Sequence, residues 1–306
     1  MILIADLGAT NARLCVTMDC LTYSNKANYQ INSFDSVEEL CLTYLEEKGL
    51  ENINKAVIGV AAPILGDKVS FVNTNLEFSI KNLEKKIFSG GLIVVNDLEL
   101  QAFALFNLKA GDLSYIGKKN LTKGPKILVA PGTGLGLAGI LGKAVIATEA
   151  GHINISNKEL RPDLEVIIER FTKEYHRAPT YEDFLSGKGI TYFYRALSGE
   201  TSLDLSSEEI LLARGDTYSL QTRDVLNYLL SSYLRYMALV WGSQGGVLLS
   251  GSIVNTLLLE EDYQEFRNTF EDSDTMRDFM RTVPLARVLI EEIGFKGGLE
   301  LSKKLK

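Results

Sequence analysis

Cysteine, histidine and excess positive charge are all scarce in this chain. Of its 306 residues three are cysteine and two histidine, and acidic side chains outnumber basic ones to leave a net charge of −7. Cys15, Cys20 and Cys41 form no C-x-x-C pair and sit in no His/Cys cluster, which argues against a structural zinc site and a disulfide framework. No uncharged apolar run approaches the roughly 18 residues of a membrane span. The N-terminus has neither the basic region nor the apolar core of a secretion signal. A reducing cytoplasm is the expected location. The acidic balance speaks against nucleic acid and against an acidic membrane surface as partners. Low-complexity segments and long linkers are absent as well.

What is present is an ordinary globular composition, 46% hydrophobic and 23% charged, in a chain long enough for two domains. Strand-like and helix-like stretches alternate over the first hundred residues. Ile2–Ala5 and Arg13–Thr17 read as paired strands around a glycine turn. Ser36-Val37-Glu38-Glu39 has the form of a capping box before a helical repeat. Ala56–Ala62 and Leu92–Val95 read as buried strands, and helices are expected at Ser79–Phe88 and Leu98–Phe106. A second alternation begins at Ile127–Ala130, with a hairpin around Gly142-Lys143. Helices are expected at Pro162–Tyr175, Tyr181–Leu185, Ile190–Ala196, Ser207–Ala213 and, apolar almost all round, from Thr217 to Gly242. Strands Gly245–Leu249 and Leu285–Ile290 precede a short tail helix. Two units that each open strand, glycine turn, strand suggest a duplicated architecture, although no repeat of residues is visible.

Three glycine-containing turns follow apolar strands: Asp6-Leu7-Gly8-Ala9-Thr10, Pro131-Gly132-Thr133-Gly134-Leu135-Gly136, and Gly251-Ser252. Small residues there leave backbone N–H groups open to phosphate or ribose oxygens. Alone, Asp6–Thr10 is equally well an ordinary hairpin turn. Gly134 to Gly139 matches G-x-G-x-x-G, but a dinucleotide fingerprint must open a helix. The residues that follow are glycine-broken and read as a hairpin, so that reading is rejected. There is no Walker A sequence.

In order along the chain, Asp6–Arg13, Ala62-Pro63-Ile64-Leu65-Gly66-Asp67, Asn73-Thr74-Asn75, Asn96-Asp97, Ala130–Gly136, Glu149-Ala150-Gly151-His152 and Glu182–Gly187 resemble the motifs of the bacterial glucokinase family, within the hexokinase–actin–Hsp70 ATPase superfamily. The resemblance implies a two-domain α/β fold, actin-like (ribonuclease H-like), with mixed sheets and an active-site cleft between domains. Residues 1–97 plus 289–306 would form the small domain and 98–288 the large one. The implied reaction is phosphorylation of the 6-hydroxyl of glucose by ATP.

Roles follow residue by residue. Asp97 would be the general base, the plainer alternative being an N-cap of the helix after it. Asn73, Asn96, Glu149, His152 and Glu182 would bind the sugar with Asp97. Gly8, Thr10, Asn11, Gly132, Thr133 and Gly134 would face the phosphates and Gly251 the adenosine. Asp6 would hold Mg²⁺ through water. Arg13 is left between a phosphate contact and a surface ion pair, and His176 reads as surface. Leu76, Leu98, Ala150 and Ser252 depart from the family's usual residues. A homodimer is among the open assemblies. A kinase for another hexose or amino sugar, and a catalytically silent sugar sensor of the same fold, remain rivals.

Overall fold

The computed structural model describes residues 1–71, 76–109, 111–155, 161–199 and 205–306. Its strands are β1 (Ile2–Leu7), β2 (Asn11–Thr17), β3 (Ser24–Gln30), β4 (Lys55–Val60), β5 (Lys68–Ser70), β6 (Glu77–Ser79), β7 (Gly91–Asn96), β8 (Leu113–Tyr115), β9 (Lys126–Pro131), β10 (Leu135–Leu141), β11 (Ala144–Thr148), β12 (Gly246–Leu249) and β13 (Leu285–Val288). Its α-helices are α1 (Val37–Glu47), α2 (Ile80–Lys86), α3 (Asp97–Phe103), α4 (Pro162–Tyr175), α5 (Tyr181–Phe184), α6 (Gly187–Ser198), α7 (Ser207–Leu212), α8 (Thr217–Trp241), α9 (Ser252–Leu257), α10 (Tyr263–Glu271), α11 (Arg277–Thr282) and α12 (Ile293–Ser302).

The chain divides into two compact units, Met1–Ala110 with Ile290–Lys306, and Gly111–Leu289. The first contains a five-stranded sheet in the order β3-β2-β1-β4-β7. Strands β1, β2 and β3 run antiparallel in sequence, while β1, β4 and β7 are parallel. The second contains a six-stranded sheet in the order β11-β10-β9-β12-β13-β8. Here β9, β10 and β11 run antiparallel and β9, β12 and β13 parallel, with β8 added antiparallel at the edge. The same five-strand pattern therefore occurs twice. The duplication absent from the residues is present in the topology, because strand order constrains apolar pattern and turns rather than particular side chains.

Each unit has its own apolar core. Leu3, Leu14, Tyr44, Ile58 and Phe88 anchor the first, and Phe184, Phe193, Leu230, Tyr233 and Phe270 the second. Helix α8 is buried along much of its length, as its apolar periphery requires. Ser36 accepts the N–H of Glu39 at 3.0 Å and starts α1 as expected. Several elements were not expected from the sequence, the short β5, β6 and β8 and helix α9 among them, and three more show why. Strand β3 is mostly polar and largely exposed, and its pairing with β2, not an apolar period, makes it a strand. Helices α10 and α11 occupy a charged stretch in which only Phe266, Arg267, Phe270 and Met280 are buried.

The division falls after residue 110 rather than after 97, so α3 lies with the first unit. It is held there by α12, where a Cβ on Gly297 would overlap the carbonyl oxygen of Leu100. A Cβ on Gly59 of β4 would come 2.6 Å from the Leu100 side chain. The three cysteines are free and buried, and burial pushes the Cys41 thiol up to about 12. No helix among the described residues is long and apolar enough to cross a membrane.

Candidate active site

In the first unit the β1–β2 turn is closed by the Gly8 N–H, which donates to Asn11 O at 3.0 Å. Thr10 O accepts the Ile31 N–H at 3.0 Å, and Asn11 Oδ1 accepts from Gln30 Nε2 at 2.9 Å. The turn is thus fixed from β3 while the Thr10 side chain stays exposed. Asp6 faces Arg13 directly across the hairpin. Burial pushes the Asp6 carboxyl up to about 6, and the Arg13 charge offsets only part of that. Helix α12 begins against it: a Cβ on Gly294 would overlap Asp6 Oδ2.

A carboxylate so short of positive charge suits a cation beside it. Among the described residues no three His, Cys, Asp or Glu side chains gather to cage a metal. A single carboxylate fits Mg²⁺, which keeps most of its waters and binds phosphate oxygens, better than a metal needing a protein cage.

At the end of β7, Asn96 is the N-cap of α3. Its Oδ1 accepts the N–H groups of Leu98 at 2.9 Å and Glu99 at 3.3 Å. The capping alternative for Asp97 is therefore taken by its neighbour. Asp97 occupies the first helical position, half-buried, and Oδ1 accepts the Leu98 N–H at 2.8 Å. Asn96 Nδ2 reaches Ala62 O at 3.4 Å. Asn73 lies outside the described residues. Leu76 and Leu98 are both buried and serve packing.

In the second unit the β9–β10 turn is tightened by Gly132 N–H donating to Gly134 O at 2.8 Å. From outside, the Gly187 N–H donates to Gly132 O at 2.9 Å. Space around Gly132 is open and Thr133 is exposed, leaving backbone and hydroxyl donors accessible. After the turn β10 pairs on both edges as a strand, so G-x-G-x-x-G opens no helix here. Gly251 takes φ +101°, and a Cβ there would lie 2.9 Å from Pro131 O. The two glycine turns are thus neighbours at the ends of adjacent parallel strands.

Beside them lie three of the expected sugar ligands. His152 Nε2 is 3.7 Å from Glu149 Oε2, and His152 Nδ1 is 4.0 Å from Glu182 Oε1. The loop after β11 carries Glu149 and His152. It is bound to the segment before α5 by Tyr181 N–H donating to Ile153 O at 3.0 Å and Ile155 N–H donating to Pro179 O at 3.0 Å. Glu182 is set in place by a capping box between Thr180 and Asp183. Arg177 grips Asp183 with two nitrogens at 2.6 and 2.7 Å. Glu182 Oε2 accepts the Leu135 N–H at 2.9 Å, and a Cβ on Gly134 would come 2.6 Å from that oxygen. A Cβ on Gly151 would overlap Leu135 O, so this loop glycine has to stay small, whereas Ala150 is tolerated. His176 is an exposed left-handed cap of α4.

Sequence reasoning missed Gly294, the Leu135 N–H and the Arg177–Asp183 support. Only Gly294 left a trace, in the glycine group after the last strand.

A family model described as Glucokinase matches residues 3–304. The chain belongs to the glucokinase family. A glucokinase of Neisseria meningitidis is 30% identical over 306 residues, covering 96% of this chain and 92% of the relative. The solved structure of glucokinase from Balamuthia mandrillaris in complex with glucose superposes with a TM-score of 0.82 at 21% identity, over 99% of this chain and 93% of that one. A ROK family glucokinase from Streptomyces griseus in complex with glucose and AMPPNP gives 0.70 at 16% identity, over 99% of each chain. These structures share the fold. The two-unit α/β architecture with mixed sheets is that of the glucokinases, and the expected fold class holds.

Proposed function

We propose that this glucokinase-family enzyme transfers the γ-phosphoryl group of ATP to the 6-hydroxyl of glucose, giving glucose 6-phosphate and ADP. The observation that carries the reading is the contact of Glu182 with the Gly134-Leu135 turn. It joins a sugar-binding carboxylate to a phosphate-facing turn within one unit. Glu149 and Glu182 accept hydroxyl hydrogens of the sugar, and His152, between them, offers one ring nitrogen as donor or acceptor. Asp97 takes the proton of the 6-hydroxyl and orients its oxygen for in-line attack, and Asn96 and Asn73 donate to the sugar from their amides. Thr133 and Gly134, with Thr10 and Asn11, donate to phosphate oxygens, and Gly8 and Gly132, whose N–H groups close the two turns, let the phosphates approach the bare backbone. Gly251 permits close approach of the adenosine.

Asp6 would hold Mg²⁺ through water. When bound, that ion neutralises phosphate charge as it shifts to the leaving group. The reading assigns the enzyme to a reducing cytoplasm, supported by three free cysteines. A steady-state assay over a panel of hexoses and phosphoryl donors tests it. Glucose with ATP is expected to give the highest kcat/KM. Better turnover of fructose, mannose or an amino sugar overturns glucose as substrate, and glucose binding without turnover marks a sensor.

A further inference from the structure

Helix α8 carries two buried polar atoms with no hydrogen-bond partner among the described residues, Arg223 Nε and Asn227 Oδ1. The two residues stand four apart on one face of the helix, where side chains lie about 5–6 Å from each other at Cβ. Both line a cavity of about 230 Å³ within the second unit. Arg161 just before α4 and Phe266 and Thr269 of α10 close it from the other sides. None of the residues assigned above to sugar, phosphate or adenosine lines it. Arg223 is 6% exposed, so an unpaired N–H there is costly, and so is an unpaired acceptor beside it.

The charges of the wall are largely paired off. Arg161 meets Asp224 at 2.7 Å, Arg214 meets Glu261 at 2.8 Å and Arg223 meets Asp262 at 3.1 Å through Nη2, which leaves its Nε over. Glu265 adds one carboxylate beyond these pairs. An anion would face that excess negative charge, and a cation could not satisfy the Arg223 N–H. A hydroxyl does both tasks: it accepts from Arg223 Nε and donates to Asn227 Oδ1. Leu220, Tyr228 and Phe266 offer apolar surface to the C–H groups of the same molecule. Pockets for drug-sized ligands run to about 300–1,000 Å³, so this one suits something smaller.

We propose that the cavity is an accessory site for a small neutral polyol of monosaccharide size. It shares no residue with the candidate active site and does not depend on the reaction proposed above.

Saturation-transfer NMR on the full chain, titrated with myo-inositol, sorbitol and glucose, tests this. At least one probe is expected to keep its affinity in Glu149→Ala, which weakens the candidate sugar site alone. Arg223→Lys retains a cation for Asp262 but removes Nε, and should weaken that binding on the order of tenfold or more. Leu220→Trp fills the cavity from its exposed rim and should do the same, so the test stands even if the arginine variant fails to fold. Val166→Trp, exposed on α4, should leave the affinity unchanged. Binding of no probe means that the two atoms share a bridging water only, and overturns the proposal. So does binding that vanishes in Glu149→Ala, or that ignores both Arg223→Lys and Leu220→Trp. Sulfate or spermidine displacing every polyol overturns the neutral class of ligand.

Discussion

Glu182 Oε2 holds the backbone N–H of Leu135 at 2.9 Å, across 47 residues of sequence. One carboxylate thereby fixes the start of β10, just after the Gly132–Gly134 turn, while its other oxygen lies 4.0 Å from His152. A group placed this way has two duties, and two substitutions separate them. Hydrogen bonds to a charged partner contribute about 1.5–3 kcal/mol, or on the order of 10- to 100-fold in a binding constant. Glu182→Ala should raise KM for glucose by that factor and also raise KM for ATP, because the turn loses its tether. Glu182→Gln keeps an acceptor for Leu135 and should raise KM for glucose while leaving KM for ATP near wild type. Initial rates over a grid of both substrates check this. An unchanged ATP KM in the alanine variant removes the tether from the account.

Asp97→Asn should lower kcat by about 10²- to 10⁴-fold, the usual worth of general-base catalysis. Stability and glucose binding should be retained, since Asn96 caps the helix. Asn96→Ala should instead cost about 1 kcal/mol of stability. Calorimetry with glucose and urea denaturation distinguish the two. Near-wild-type turnover in Asp97→Asn would remove it as the base.

The glycine turns were legible because each directly follows a buried apolar strand, and the order of acidic, amide and glycine residues between them is unusual. The G-x-G-x-x-G pattern marks no dinucleotide site, since the residues after it are glycine-broken and form a strand instead of a helix. What the sequence hid is long-range. Nothing near Leu135 announces a partner at Glu182, nothing in Ser24–Gln30 announces a strand, and α10 and α11 bury too few apolar side chains to show a helical period. A strand end at Asn96-Asp97 before a helix was readable, but only the geometry shows that Asp97 is already the first helical residue and that Asn96 does the capping.

Two glycine substitutions should behave oppositely. Gly294→Ala drives a methyl group into Asp6, with about 1–3 kcal/mol of stability lost to overpacking. The Mg²⁺ concentration giving half-maximal rate should rise. Gly132→Ala meets open space and should leave stability within about 0.5 kcal/mol, yet raise KM for ATP by crowding the phosphates at the turn. Equal destabilisation of both variants would contradict the packing described.

A pH effect should trace to Asp183. Burial raises its carboxyl, but hydrogen bonds from Arg177 and from the Thr180 N–H and hydroxyl outweigh burial and hold it below its ordinary value. A depressed carboxylate stabilises the fold above its unfolded pKa of about 3.9, and that contribution fades as pH falls through the lower folded value. Asp183→Asn should therefore be less stable than wild type at pH 7, with the gap closing below about pH 4. Urea midpoints from pH 3 to 7 measure it. A gap of constant size across that range would assign the loss to packing rather than to charge.

The return of Ile290–Lys306 to the first unit sets an order on biosynthesis. Helix α12 lies against β1 and α3 through Gly294, Gly297 and Gly298, so β1 and α3 wait for a helix synthesised only after the whole of the second unit. At roughly 5–20 residues per second, the intervening unit Gly111–Leu289 takes about 10 to 35 seconds to emerge. It can assemble its own sheet meanwhile, from strands that neither precede nor follow it. The half bearing Asp6 and Asp97 is then completed only after the half bearing Glu149, His152 and Glu182, and a ribosome stalled before Ile293 would carry a formed second unit with the first still unfinished.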